Sequence, residues 1–252
     1  MEGVTPMKHI GITLLLLSAL TATAAAQTVF LRYKAAPTLK YSLKRTEKLS
    51  RKHWQGPDKD FHYNIDKRLH EKVVKLEDGS LKRKVKQLQG KLTYMDKAVT
   101  KAQENPTHVE RIDPQGNELA LIKGTEGSDP TRMRLVFPKR EVAQGATWKY
   151  ETPPSQTFPA KLTTKYRLAG FKKFRGRKCA HIKSRTVYRG RHPDRNVDAE
   201  LKSRGHIYFD FEKGVIVNAV STTRFTLDFL RNKKDGYPKK EQKTIDIRYS
   251  LQ

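Results

Sequence analysis

The sequence predicts a mainly β protein organised around a large antiparallel sheet, with one helix over about residues 81–103. Apolar and polar residues alternate through several segments, which is the period of a strand with one face buried. Gly, Asn and Asp fall between those segments, where tight turns need residues that accept positive φ. Short turns between alternating strands imply antiparallel pairing. With 36% hydrophobic and 9% aromatic residues in 252, the chain holds enough apolar material for a packed core.

Near its start the chain carries Met7-Lys8-His9, then an apolar run from Ile10 to Leu20 and the small residues Ala22-Thr23-Ala24-Ala25-Ala26. A charged start, a short apolar middle and an A-x-A site are the parts of a secretory signal peptide, expected to span 1–26 with cleavage after Ala26 or Ala24. Glu2 and Pro6 suit such a start poorly, which leaves Met1 and Met7 as alternative first residues. No later run approaches the ~20 apolar residues of a membrane helix. The single cysteine, Cys179, is far from the cleavage region, so a lipid anchor is excluded and no disulfide can close within the chain. Cys179 reads as a small core residue. The expected product is exported, periplasmic or extracellular, neither membrane-spanning nor a lipoprotein, with one β-rich domain over 27–252.

Leu39, Tyr41 and Leu43 oppose Lys40, Ser42 and Lys44 as the first clear strand. Glu77-Asp78-Gly79-Ser80 follows as a turn. From Leu81 to Gln103 the apolar residues Leu81, Val85, Leu88, Leu92, Met95, Val99 and Ala102 stand at spacings of four and three, a helical stripe with Ser80 as N-cap and Asn105-Pro106 as stop. Gly90 in mid-run costs such a helix about 1 kcal/mol relative to Ala, and Lys91 to Met95 reads equally as a strand. Asp113-Pro114-Gln115-Gly116-Asn117 is another turn. The stretch from Gly124 to Pro130 has no apolar period and reads as a connection, which puts a sub-region boundary near 124–146.

From Trp148 onward the sequence reads as about six consecutive strands. Leu162, Thr164, Tyr166 and Leu168 share one face against Lys161, Thr163, Lys165 and Arg167. Arg175-Gly176-Arg177 turns the chain into a strand from Cys179 to Tyr188. Ile207, Phe209 and Phe211 oppose Lys202, Arg204 and His206; Glu212-Lys213-Gly214 turns again before a strand from Val215. At the end Ile245, Ile247, Tyr249 and Leu251 oppose Asp246, Arg248 and Ser250.

The run Phe137-Pro138, Val142, Gly145, Thr147-Trp148, then the Gly170 to Gly176 turn and Cys179-Ala180-His181-Ile182, resembles a family of uncharacterised exported bacterial β-sheet proteins. A second strand pair, from Gly205 through Phe209-Asp210 and Gly214 to Val217, is similar to theirs. The layout is distantly similar to the half-barrels of periplasmic lipoprotein carriers. The resemblance covers about residues 135–230 and implies that the sheet is curved, as a half-barrel or open barrel. It supplies no catalytic residues.

No Gly-rich phosphate loop, H-E-x-x-H, Gly-x-Ser-x-Gly or Cys pair is present, so no catalytic residue, metal site or cofactor is assigned. The histidines beyond the expected signal peptide (His53, His62, His70, His108, His181, His192, His206) lack ligand spacing and read as solvated surface residues. Carboxylates gather at Asp194, Asp198, Glu200 and Asp210, but Arg and Lys among them make charge compensation a sufficient explanation.

The stronger signal is positive charge: 52 Lys and Arg against 26 Asp and Glu, a formal +26. Lys161, Lys165, Arg167, Lys183, Arg185, Arg189, Lys202 and Arg204 occupy polar positions of successive strands. Antiparallel neighbours would set these cations side by side, which is unfavourable unless they face water and salt or await an anion. A solubilising coat is the plain alternative. The expected function is non-enzymatic binding of an anionic envelope polymer or lipid head group. A carrier of a lipid or other amphiphile, lined by Leu162, Tyr166, Phe209, Phe225 and Tyr249, is the second reading, and a hydrolase using the 194–210 carboxylates the third. Nucleic acid fits the charge but not the export signal.

Overall fold

The computed structural model describes residues 27–53, 57–95, 97–98, 107–124, 135–154, 160–192, 197–229 and 239–252. The expected signal peptide lies outside the described residues. In chain order the strands are β1 (Thr28–Val29), β2 (Ala36–Lys52), β3 (Lys59–Lys75), β4 (Leu81–Tyr94), β5 (Lys97–Ala98), β6 (Thr107–Ile112), β7 (Glu118–Lys123), β8 (Val142–Ala143), β9 (Thr147–Thr152), β10 (Leu162–Phe174), β11 (Arg177–His192), β12 (Val197–Asp210), β13 (Val215–Asp228) and β14 (Lys240–Leu251). All but β1 and β8 form one antiparallel sheet in the order β7-β6-β4-β3-β2-β14-β13-β12-β11-β10-β9, with β5 beside β4. The sheet does not close and forms a half-barrel. No helix among the described residues is long and apolar enough to cross a membrane.

The helix expected over 81–103 is not formed: residues 81–94 are β4, and Val99 and Ala102 lie outside the described residues. The reason is what the inward positions carry. Leu81, Arg83, Val85 and Gln87 point into the protein, while Lys82, Lys84 and Lys86 are exposed. Two of the four inward residues are polar, so strand alternation imitates a spacing of four. A register shift opposite Lys67 and Leu69 then resets the phase, bringing Leu92 and Tyr94 opposite Ile65 and Tyr63. Ser80 does not cap a helix; its N–H and hydroxyl both donate to Asp78 Oδ1, at 3.0 and 2.6 Å, inside the turn.

One face of the sheet is packed. Tyr41, Leu43, Leu69, Tyr166, Leu168, Ile182, Ile207, Phe209, Ile247 and Tyr249 are buried there beneath two irregular segments carrying Leu31, Tyr33, Leu135, Phe137 and Val142. Phe137 packs tilted against Phe209 at 4.6 Å, Tyr33 meets Phe137 at 5.5 Å, and Tyr41 stacks on Tyr249 at 4.3 Å. Trp148 Nε1 donates to the Val136 carbonyl at 2.7 Å, and β1 pairs with β8, so the covering segments are tied to the sheet and to each other. Gly116 permits this closure: at φ +93° it lies where a Cβ would stand 2.5 Å from the Leu135 carbonyl oxygen and 2.7 Å from the Tyr33 ring.

Charge also enters the packed face. Arg83 donates to Glu71 and Glu110, both at 2.8 Å, and Tyr249 Oη donates to Glu71 at 3.2 Å. Both carboxylates are buried, Glu110 to 1% exposure. Desolvation alone would lower the Arg83 pKa, but the two carboxylates hold it well above the usual arginine value. Removing the cation would strand two buried anions. Arg83→Met is therefore expected to lower stability by about 3–5 kcal/mol in urea unfolding; an unchanged midpoint would show that the trio contributes no net fixation of β3, β4 and β6.

Candidate anion-binding site

The opposite face of the sheet is polar, and its register can be followed strand by strand. Lys149 on β9 stands opposite Lys165 on β10, Lys165 opposite Arg185 on β11, and Arg185 opposite Arg204 on β12. The adjoining rung brings Arg167 opposite Lys183 and Lys183 opposite His206. Strand alternation explains the placement: Tyr166 and Leu168 turn into the core, which sends Lys165 and Arg167 outward, and Ile182 does the same for Lys183. Lys149, Lys165, Arg167, Lys183, Arg185 and Arg204 are all exposed, and none has an ion-pair partner among the described residues. Lys149, Lys165, Arg167, Lys183 and Arg185 line a shallow groove of about 420 Å³.

The eight cations singled out in the sequence divide in two. Lys165, Arg167, Lys183, Arg185 and Arg204 belong to the unpaired array. Lys161 pairs with Glu151, while Arg189 at 2.5 Å and Lys202 at 2.8 Å share Glu200, so these three stand at margins where carboxylates offset part of the charge. Glu200 is held below the usual carboxylate range, first by its hydrogen bond from Lys202 and then by that from Arg189. Lys149 was not anticipated, although the short alternation Thr147-Trp148-Lys149-Tyr150 marks it as outward.

The other sequence candidates are dispersed. Tyr166, Phe209 and Tyr249 are buried in the packed core, whereas Leu162 and Phe225 are half-buried beyond it. Asp210 is buried at one end of β12, accepting from Arg177 at 3.1 Å and from the Lys213 amide at 2.9 Å. Glu200 and Asp198 lie at the other end, about 30 Å or more along the strand at its ordinary rise. Asp194 lies outside the described residues. The described carboxylates of this set do not converge. Cys179 is buried and free, its thiol pushed up to about 11 by burial and then by Asp210. Among the described residues no three metal-ligating side chains gather.

His181 departs from the expected solvated state, as does His108, which lies against the buried Glu110 with Nε2 3.5 Å from its Oε2; His206 is exposed but touches His181. His181 is 7% exposed, and its Nε2 lies 3.0 Å from His206 Nδ1, while Tyr208 stacks on its ring at 4.8 Å. His181 and His206 are 25 residues apart, and only the β11–β12 register brings them together. The contact requires one ring nitrogen to accept, so at least one of the two imidazoles is neutral.

No protein-family model matches the chain, and no curated protein does. Solved structures do. A chain from a structure of lipid–protein interactions in lipovitellin aligns over 87% of this chain with 10% identity and a TM-score of 0.50, which shows a similar fold. This chain spans only 25% of that one. DynF from the dynemicin pathway of Micromonospora chersina aligns over 90% of this chain and 86% of its own, with 9% identity and a TM-score of 0.24. A DUF1329 family protein from Desulfovibrio piger aligns over 85% and 86%, with 10% identity and a TM-score of 0.21. The class thus defined is an open antiparallel half-barrel with one packed and one cationic face.

The His181 pKa is lowered from 6.5, first by burial and then by His206, Lys172 and Lys183. The unfolded chain therefore takes up a proton near pH 6.5 that the folded protein still refuses, so stability falls as pH drops through that value toward the folded pKa. His181→Phe should shrink the loss in urea midpoint between about pH 7 and about pH 5.5; an identical loss in the variant would place the acid sensitivity elsewhere.

Proposed function

We propose that the protein is a non-enzymatic binding protein of the cell envelope that captures an anionic component through its cationic face. One observation carries this reading: Lys149, Lys165, Arg167, Lys183, Arg185 and Arg204 stand in direct cross-strand register without a carboxylate partner among the described residues. Like charges directly opposed across strands are destabilising. A solubilising coat needs no such stacking, because alternating the signs would keep the face just as wet. An incoming polyanion converts the repulsion into attraction, and guanidinium groups offer paired donors to phosphate or carboxylate oxygens.

The second reading is a carrier of a lipid or another amphiphile. Leu162, Leu201, Phe225 and Ile245 remain half-buried on the packed face, and the fold is similar to part of a protein whose lipid interactions have been described. Against it, Tyr166, Phe209 and Tyr249 are already engaged in the core.

Sedimentation of the protein with anionic and neutral vesicles separates the two. Charge capture predicts binding to anionic vesicles alone, falling steeply with salt. Reversal of the array in Lys165→Glu/Arg185→Glu should weaken that binding by about tenfold or more. Salt-insensitive extraction of lipid from both kinds of vesicle would transfer the function to the apolar side, and absence of binding to either kind of vesicle and to soluble polyanions would leave the charge as a coat.

A further inference from the structure

The array does not end at β12. The rung that carries Arg167, Lys183 and His206 continues through Val220 on β13 to Arg248 on β14 and Lys44 on β2. Arg248 and Lys44 are exposed, are opposed in register, and have no ion-pair partner among the described residues. They line a second groove, of about 620 Å³, together with Arg204, His206, Thr46 and Asp246. Because Lys183 opposes His206 and Arg185 opposes Arg204, this groove begins on the strand next to the one where the first ends. The neighbouring rung carries the one acid of the second groove, Asp246, which accepts from Thr222 at 2.5 Å. The cationic rung itself reaches an acid only at Asp66, opposite Lys44.

We propose, on the footing of the anion reading above, that the ligand is a linear polyanion lying across the strands from β9 to β2, so that Lys44 and Arg248 form a second subsite. The span is six strand steps, about 29 Å at the ordinary interstrand spacing. A single phosphate or carboxylate would use one corner of one groove. A plane of head groups would meet the tips of exposed side chains without following the line of the two shallow grooves. A chain with charges in series can follow a rung of cations, and each added contact becomes intramolecular once the first is made. His206 stands at the junction of the grooves, between Lys183 and the Val220–Arg248 stretch of the rung.

Calorimetric titration of the protein with tripolyphosphate, long-chain polyphosphate and long polyglutamate tests the track. The expected result is that at least one long polymer binds about tenfold or more tighter than tripolyphosphate at equal anion concentration, with a steeper dependence of affinity on salt. Whether polyphosphate or polyglutamate shows the gain identifies the anion. Lys44→Ala/Arg248→Ala should remove most of that gain, with circular dichroism confirming the fold of the variant. Equal affinity for short and long chains, with a silent double variant, overturns the track while the local anion site stands. Binding to anionic vesicles but to none of the three polyanions overturns it in favour of a head-group plane. Failure of every polyanion and of anionic vesicles overturns both.

Discussion

Antiparallel pairing forces whatever stands at opposed positions into proximity, and across β9, β10, β11 and β12 what stands opposed is positive charge. That arrangement follows from the other face. Tyr166, Leu168, Ile182, Ile207 and Phe209 are fixed inward by burial, so the residues between them have no freedom to turn away. A slip of one residue would exchange the two faces and bury the cations. The packed core therefore holds the array in place against its own repulsion, and the array is as precisely registered as the core is.

The two faces treat charge in opposite ways. On the packed face Arg83 is enclosed by Glu71 and Glu110, and the Tyr249 hydroxyl donates to Glu71. Each buried charge there has a partner, as the cost of desolvation requires. On the polar face, Lys161, Arg189 and Lys202 are paired with Glu151 and Glu200 at the margins, while the six cations between them have no carboxylate partner among the described residues. Carboxylates are present in the chain and are used to pair other cations. Their absence from the array is a property of which positions carry them, and it is local.

Most of the sheet was legible in the sequence because its second half alternates cleanly. The strands from Leu162 to Leu251 follow the expected faces, and the turns at Gly176 and Gly214 fall where they were read. The stretch from Leu81 misled because Arg83 and Gln87 occupy inward positions, where their polarity hides the period of two; only the partners Glu71, Glu110 and Lys67, supplied by β3 and β6, make that burial tolerable. The cations were visible as polar positions, but their pairing state was not. Whether Lys161 or Lys165 meets a carboxylate depends on the register with β9, which sequence spacing does not encode. The contact between His181 and His206 was hidden for the same reason, being created by the β11–β12 register. The packing of Leu31 and Phe137 over the sheet depends on long-range closure and leaves no local signature.

The central claim is that the cationic face, rather than the apolar one, is the working surface. Titrating a polyanion into isotopically labelled protein and following the side-chain Nε–Hε resonances of Arg167, Arg185 and Arg204 beside the resonances of Leu162 and Phe225 tests it most directly. The account predicts shifts at the three arginines at low ligand ratios, with Leu162 and Phe225 unmoved. Shifts at Leu162 and Phe225 upon adding a neutral amphiphile, with the arginines indifferent to every polyanion, would contradict it.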